Sequence, residues 1–414
     1  MKKILLFLCL FIWGIAAQAT NGFFSHGIGT KNKGMAGAGV ALAKDALSGA
    51  INPANFVRLD RRLDFGGTLF MPNRGFKAND DGGGGYPEVE PGQYDSENDF
   101  FLIPQFAYNH PLDDKSTIGV VTTMNGMNTE YDAASFQGFG AATKPTGADL
   151  YQMSLHVPYS RLITEKLSLG IAPIFGIQAA RFRGLEPFGG VSLHPGDVSN
   201  NGFDYAFGLG ISGGVNYQVN DKLSLGAGMQ SKINMTKLDK YRGLLAEEGN
   251  LDIPATFQVG VALHMTRKLT LVADYQRIYY SDVPAIANAN GIFLTAGSLG
   301  SDDGLGMGWK DAKIAKFGIQ WAYDKNTVLR VGYSHGNQII PGGQGLLNVI
   351  APAVGRDHFS VGMTRQLLNG HEFSVSLTHS PKEIVDGTNP NTGSQTGNLQ
   401  MEQTELEVTY GWRF

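Results

Sequence analysis

The chain is nearly without cysteine: it has one in 414 residues, Cys9. Cys9 lies in the leading apolar run, so the sequence after that run has no disulfide framework and no thiolate metal site. Long apolar stretches are scarce too. Past Ile4–Ala17, none reaches the ~18 residues a membrane-spanning helix needs. Charge is thin, with 17% Asp, Glu, Lys and Arg and a formal net charge of −4, which argues against nucleic acid as a partner. The nine histidines show no HExxH or other ligand spacing, so no metal and no cofactor are expected.

Several patterns fill the space left by these absences. "MKKILLFLCLFIWGIAAQA" has two lysines, an apolar run and the small-x-small end Ala17-Gln18-Ala19. That order reads as a secretory signal peptide over residues 1–19, with Thr20 as the mature start. Glycine accounts for 56 residues, about twice the usual share. Alternation of apolar with small or polar residues then recurs along the chain. The clearest case is residues 203–219, where Phe203, Tyr205, Phe207, Leu209, Ile211, Val215, Tyr217 and Val219 share one face. A period of two means strands, and this one is longer than a usual strand.

The connections carry as much information as the strands. Short charged turns stand at 112–115, 164–166, 220–222, 266–268, 324–326 and 368–370. Between them lie long Gly/Asn/Asp/Pro-rich segments near 72–97, 125–148, 183–202, 236–251, 282–310, 339–354 and 381–401. Six short and seven long connections join fourteen strands. Strict short–long alternation predicts an all-β fold: a 14-stranded antiparallel transmembrane β-barrel over residues 61–414, with tight periplasmic turns and long external loops. A soluble sandwich would mix its loop lengths and shorten its strands. The last strand, "ELEVTYGWRF", must close the barrel, and Tyr410, Trp412 and Phe414 suit its interfacial aromatic girdle. An aromatic last residue also resembles the signal by which the barrel assembly machinery recognises its substrates.

Residues 20–60 do not alternate. A fourteen-stranded lumen would leak if empty, and Phe23, Phe24, Ile28, Met35, Val40, Leu42 and Leu47 want burial. The segment is expected to fold inward as a plug, or hatch, with short helical pieces around Ala36–Leu47, and Asn52-Pro53-Ala54 ending or turning such a piece. "SHGIGTKNKGMAGAGVALAKDALSGAINPA", with its Gly34, Gly37, Gly39, Asn52, Pro53 and Ala54, resembles the plug of FadL-type outer-membrane transporters of long-chain fatty acids and other hydrophobic compounds. The likeness extends through "IPATFQVGVALHMTRKLTLVADYQRIYYSDV" at 253–283 and "LRVGYSHGNQ" at 329–338. It implies a hatch, passive uptake of hydrophobic molecules and a kinked third strand that opens the wall sideways.

Candidate site residues follow. Asn125, Gly126 and Asn128 interrupt the third strand, and glycine inside a strand often marks a bend; these three are the candidate lateral opening. Phe23 and Phe24 are candidate ligand contacts. A carboxylate ligand would want a cation, and His26, Lys31, Lys33, Arg181 and Arg183 are the candidates. Loop segments 243–254, 283–297 and 345–355 are apolar enough to form an external capture groove. No catalytic residues are expected. Ser334-His335 and His379-Ser380 are strand neighbours on opposite faces, and "GTKNKG" at 29–34 is followed by Met35 where a P-loop requires Lys. The expected partners are a fatty acid or aromatic hydrocarbon, outer-membrane lipid, lipopolysaccharide and the assembly machinery, with the barrel a monomer. A general diffusion porin and a surface-binding adhesin are the alternative functions.

Overall fold

The computed structural model describes residues 21–80, 88–137, 142–290, 294–389 and 395–414. The expected signal peptide lies outside them. Fourteen antiparallel strands form the wall: β1 Arg62–Ala78, β2 (Gly92–Asp95 and Phe101–Asp113), β3 Ser116–Glu130, β4 (Gly147–His156 and Tyr159–Leu162) and β5 Leu167–Arg183. Then come β6 Asp204–Asn220, β7 (Leu223–Gln230 and Asn234–Met235), β8 Thr256–His264, β9 Leu269–Ile278 and β10 Ala312–Ala322. The wall ends with β11 Thr327–Gly336, β12 Asp357–Gln366, β13 Glu372–Thr388 and β14 Thr396–Arg413. Each strand pairs with the next, and β14 closes on β1. No helix among the described residues is long and apolar enough to cross a membrane. A bilayer accepts these strands because closure leaves few backbone groups unpaired in hydrocarbon.

The alternation sorts the two faces. On β6, Tyr205, Phe207, Leu209 and Ile211 are exposed outward, with Leu209 at 63%. On β10, Phe317, Ile319 and Trp321 do the same. The inward positions are small, polar or charged, such as Thr68 on β1, Asp274 on β9 and Glu407 on β14.

Several strands run further than the sequence suggested. β1 continues to Ala78, β3 to Glu130 and β13 to Thr388. The sequence reads those residues as loop because their outward positions are mostly polar or glycine. Above the lipid belt a strand faces water, so alternation fades while pairing continues.

Residues 21–60 lie inside the barrel in short turns: an α-turn at Thr30–Lys33 and 3₁₀ turns at Ala46–Ala50 and Pro53–Arg58. The stretch expected to be helical, Ala36–Leu47, is largely irregular. Ala36, Gly37 and Gly39 have positive φ (51°, 80° and 111°), which breaks a right-handed helix. Asn52 starts a turn rather than ending one: its Oδ1 accepts from Ala54 N at 3.1 Å, and Pro53 follows as the first helical residue. Proline suits that position, since an N–H there would have no helical partner and proline has none to lose.

Candidate functional site

The hatch makes its ion pairs on one side of the wall and is hydrogen-bonded to several other strands. Lys33 Nζ lies 2.7 Å from Glu405 and 3.0 Å from Glu407, both on β14. Lys31 Nζ is 2.5 Å from Glu372 on β13, and Glu372 also meets Arg62 at 3.0 Å and Arg413 at 2.6 Å. His26 Nδ1 stands 3.3 Å from Glu405. Backbone N–H groups of Gly39 and Val40 donate to Asp274 Oδ2 at 2.7 and 2.8 Å. Gly37 carbonyl accepts from Gln258 at 3.2 Å. Gly34 packs on Gly362 of β12, where an added Cβ on Gly362 would come within 2.9 Å of Gly34 Cα. Asn52 Nδ2 donates to Val40 and Val215 carbonyls at 3.0 Å each.

The opposite side of the wall behaves differently. β2 and β3 pair only as far as Ala107↔Val121. Beyond that, the Thr122 hydroxyl bridges to Phe106, accepting from its N–H and donating to its carbonyl at 3.2 Å each. The strands meet again where Glu97 N donates to Glu130 O at 2.8 Å. Between these points the margin is a slot without ladder hydrogen bonds among the described residues. Pro104 explains part of it. Phe106 N points to β3, so the backbone nitrogen two residues earlier faces the same way, and proline has no hydrogen to offer there. Gly126 occupies the other margin at φ 143°. Its N–H donates to the hatch carbonyl of Phe23 at 3.0 Å instead of to β2.

Three cavities follow one another from the loops to this slot. An apolar groove is lined by Phe76, Leu346, Val349 and Leu399. Next is a narrow gap bounded by Arg74, Phe23, Met127, Ala351, Pro352 and Met401. Last is an open-sided space lined by Phe24, His26, Ile103, Gln105, Thr123 and Asn125. Neighbouring cavities share elements: Phe76 then Arg74 on β1, Leu399 then Met401 on β14, Phe23 then Phe24 in the hatch. Phe23 is held by Trp309, ring centroids 4.4 Å apart, and donates its N–H to Tyr280 Oη at 3.0 Å.

The predicted residues fall into three groups. Phe23, Phe24, His26 and Asn125 line cavities, while Gly126 bounds the slot. Asn128 sits above it, donating to Asp149 at 2.7 Å and Tyr151 at 2.6 Å. Arg181 and Arg183 line none of the three cavities and are engaged elsewhere, Arg181 with Asp149 at 2.7 Å and Arg183 with Glu130 at 2.5 Å. Lys31 and Lys33 hold the hatch. Tyr410 and Trp412 lie with tilted rings, centroids 4.4 Å apart, near the closing seam, and Phe414 N donates to Arg61 O at 3.1 Å. Of the three apolar loop segments, only 345–355 lines the outer groove. Leu244, Leu245, Ala285 and Ile286 are buried in loop packing instead, and residues 291–293 lie outside the described set. Arg74 and Pro104 were missed by sequence reading, Arg74 because it lay in a segment read as loop.

Residues 13–412 match the family described as outer membrane protein transport protein (OMPP1/FadL/TodX). The chain belongs to this family. It is an outer-membrane β-barrel of the Gram-negative type, and the OMPP1/FadL/TodX proteins are transport proteins rather than enzymes. Outer membrane protein P1 of Haemophilus influenzae is 25% identical over 309 residues, covering 61% of this chain and 64% of that protein. The chain thus matches just under two thirds of that relative's length. Among solved structures, the Pseudomonas putida toluene transporter TodX superposes with a TM-score of 0.69 at 17% identity, covering 94% of this chain and 99% of that one. A Pseudomonas aeruginosa FadL homologue gives 0.70 at 16%, covering 95% and 100%. At these identities the likeness carries the fold alone.

Proposed function

We propose that this barrel passes long-chain fatty acids or related hydrophobic compounds across the outer membrane by diffusion, with lateral exit through the β2–β3 slot. The observation that carries the reading is the slot itself: a break in wall pairing with an open-sided space directly behind it. An apolar chain gains ~0.8 kcal/mol per CH₂ on leaving water. A water-filled pore offers it nothing, whereas a path edged by Phe76, Phe23, Met127 and Ile103 does. The solved relatives named toluene transporters are consistent with apolar cargo in this fold. The charges of Lys31 and Lys33 are neutralised by Glu372, Glu405 and Glu407 between hatch and wall.

The same reading has residues 1–19 removed, residues 20–60 acting as the hatch and residues 61–414 as the barrel. The barrel is a monomer, placed among lipid and lipopolysaccharide by the assembly machinery. Mass spectrometry of the mature N-terminus checks the first point, and detergent-corrected sedimentation checks the monomer. The decisive assay is uptake of labelled oleate and of toluene by a host lacking its own transporter, alongside single-channel conductance. Uptake without large steady conductance is expected. Large conductance without uptake would mark a porin, and neither signal a surface-binding barrel.

A further inference from the structure

Near the external rim of the wall, bases are commonly matched. Arg356 pairs with Glu383 at 2.5 Å, Arg183 with Glu130 at 2.5 Å and His335 with Asp357 at 2.8 Å. The upper ends of β9 and β10 differ. They are joined through residues 279–311, whereas the turns on either side are short, which marks this end as external. Lys313 of β10 is exposed on the lipid-facing side, in line with Phe317, Ile319 and Trp321, and Lys310 is exposed just before the strand. Neither has a carboxylate partner among the described residues. Arg277 of β9 is the cross-strand neighbour of Lys313. Its Nε and Nη2 donate to Asp311 Oδ2 at 3.0 and 2.6 Å, and its guanidinium carbon lies 4.5 Å from the Tyr279 ring centroid, which fixes its plane. Three bases thus share these strand ends with two carboxylates, Asp282 and Asp311, and Asp311 is committed to Arg277. The corner keeps a positive excess.

Below it, the same strands carry a furrow in their lipid-facing surface, lined by Val261, Ala273, Phe317, Ile319, Val331 and Tyr333. Register explains the furrow. Ala273 stands in one row between Val261 and Phe317, and Tyr333 follows Phe317. A small side chain sits low among large ones that point to the bilayer. One level up, Ala315 stands between Tyr275 and His335, so the low ground continues towards Lys313. Four residues separate Lys313 from Phe317, roughly 13 Å at ~3.3 Å each, which is within one leaflet's half of the ~30 Å hydrocarbon core. A charged headgroup at the corner would therefore place its acyl chain along the furrow. We propose that β8–β11 hold one lipopolysaccharide molecule of the outer leaflet on the outside of the wall. Lys313 and Arg277 bind a phosphate of its lipid A by charge-assisted N–H···O bonds, and one acyl chain lies in the furrow. Charge selects a phosphorylated lipid, and the external position selects the leaflet that carries lipopolysaccharide. The site faces away from the lumen, so it does not depend on which cargo crosses the barrel.

The test is native mass spectrometry of the full-length protein in detergent, titrated with diphosphoryl lipid A and, separately, with phosphatidylglycerol. Wild type is expected to retain one lipid A in preference to phosphatidylglycerol. The double variant Lys313→Gln/Arg277→Gln is expected to lose at least roughly tenfold in lipid A affinity, a change of ~1.4 kcal/mol, with Lys313→Gln alone losing part of that. Ala273→Phe fills the furrow without touching a charge and should also weaken retention. Lys382→Gln removes an exposed lysine of β13 and should leave retention unchanged. Heat-modifiable migration shows that each variant is still a closed barrel. Undiminished binding by the double variant would overturn the proposal. So would equal retention of phosphatidylglycerol, which would reduce the corner to a general contact for anionic lipid, or a loss in Lys382→Gln as large as in Lys313→Gln, which would mean diffuse attraction. An Ala273→Phe variant that binds as wild type does would remove the furrow from the site.

Discussion

Two seams in one wall show how a barrel can be both closed and open. The β14–β1 seam pairs from Arg62↔Arg413 to Ala78↔Gly397 without a register shift. The β2–β3 seam lets go after Ala107↔Val121. The hatch treats them oppositely. Its Lys33 grips Glu405 and Glu407 on the closed seam's own strand, whereas the hatch meets the open seam without ion pairs among the described residues, through Gly126 N to Phe23 O, through Asn109 Nδ2 to the Leu59 and Asp60 carbonyls, and by packing Leu47 and Phe56 on Ala107 and Val121. The hatch's buried ion pairs are concentrated at the closed seam, and open space lies behind the open one.

This contrast breaks most easily at Lys33. Lys33→Met leaves Glu405 and Glu407 buried and facing one another without their lysine. The expected loss is ~3–5 kcal/mol of unfolding free energy, read by guanidinium titration in vesicles; a loss below ~1 kcal/mol would mean the grip is incidental. A smaller loss follows from filling the hatch–wall contact. An added Cβ at Gly332 meets Met35 backbone at 2.1 Å, so Gly332→Val should cost ~1–3 kcal/mol by overpacking. Gly343, with nothing within 4 Å of an added Cβ, should accept Ala within ~0.5 kcal/mol.

The open seam is probed through function. Gly126→Trp should lower uptake roughly tenfold, equivalent to ~1.4 kcal/mol, while heat-modifiable migration shows the barrel still formed. Normal uptake would sink the lateral exit. By contrast, Arg181→Gln, on the same flank but outside the cavities and partly exposed, should change stability by less than ~1 kcal/mol and leave uptake intact.

The gentlest probe is pH. Burial lowers Lys44 of the hatch to about 8. A free lysine titrates near 10.4, so between those values the unfolded chain holds a proton that the folded one has lost. Stability should therefore rise with pH across that window. Lys44→Met should flatten the rise in the same titration.

Where a residue met lipid, the sequence spoke clearly: Tyr205, Phe207, Leu209 and Ile211 could face nothing else at a period of two. The strand count was legible because charged turns such as "NDK" and "TRK" alternate with long loops. Strand ends were not legible, since water imposes no alternation beyond the membrane belt, and Arg74 was lost in that margin. Arg181 and Arg183 were offered as ligand cations because the sequence did not reveal that Asp149 and Glu130 would meet them across β3–β5. The slot left a mark in Pro104, but its meaning depends on which way one backbone nitrogen points, and that is fixed by register rather than composition.

Pro104 has one more consequence. A bared strand margin is ordinarily a template on which a stray segment can add itself, the route to fused or aggregated sheets. The imino acid that keeps β3 from docking also denies any foreign strand a donor at that spot, so a gap in the cylinder need not become a place where cylinders stick together.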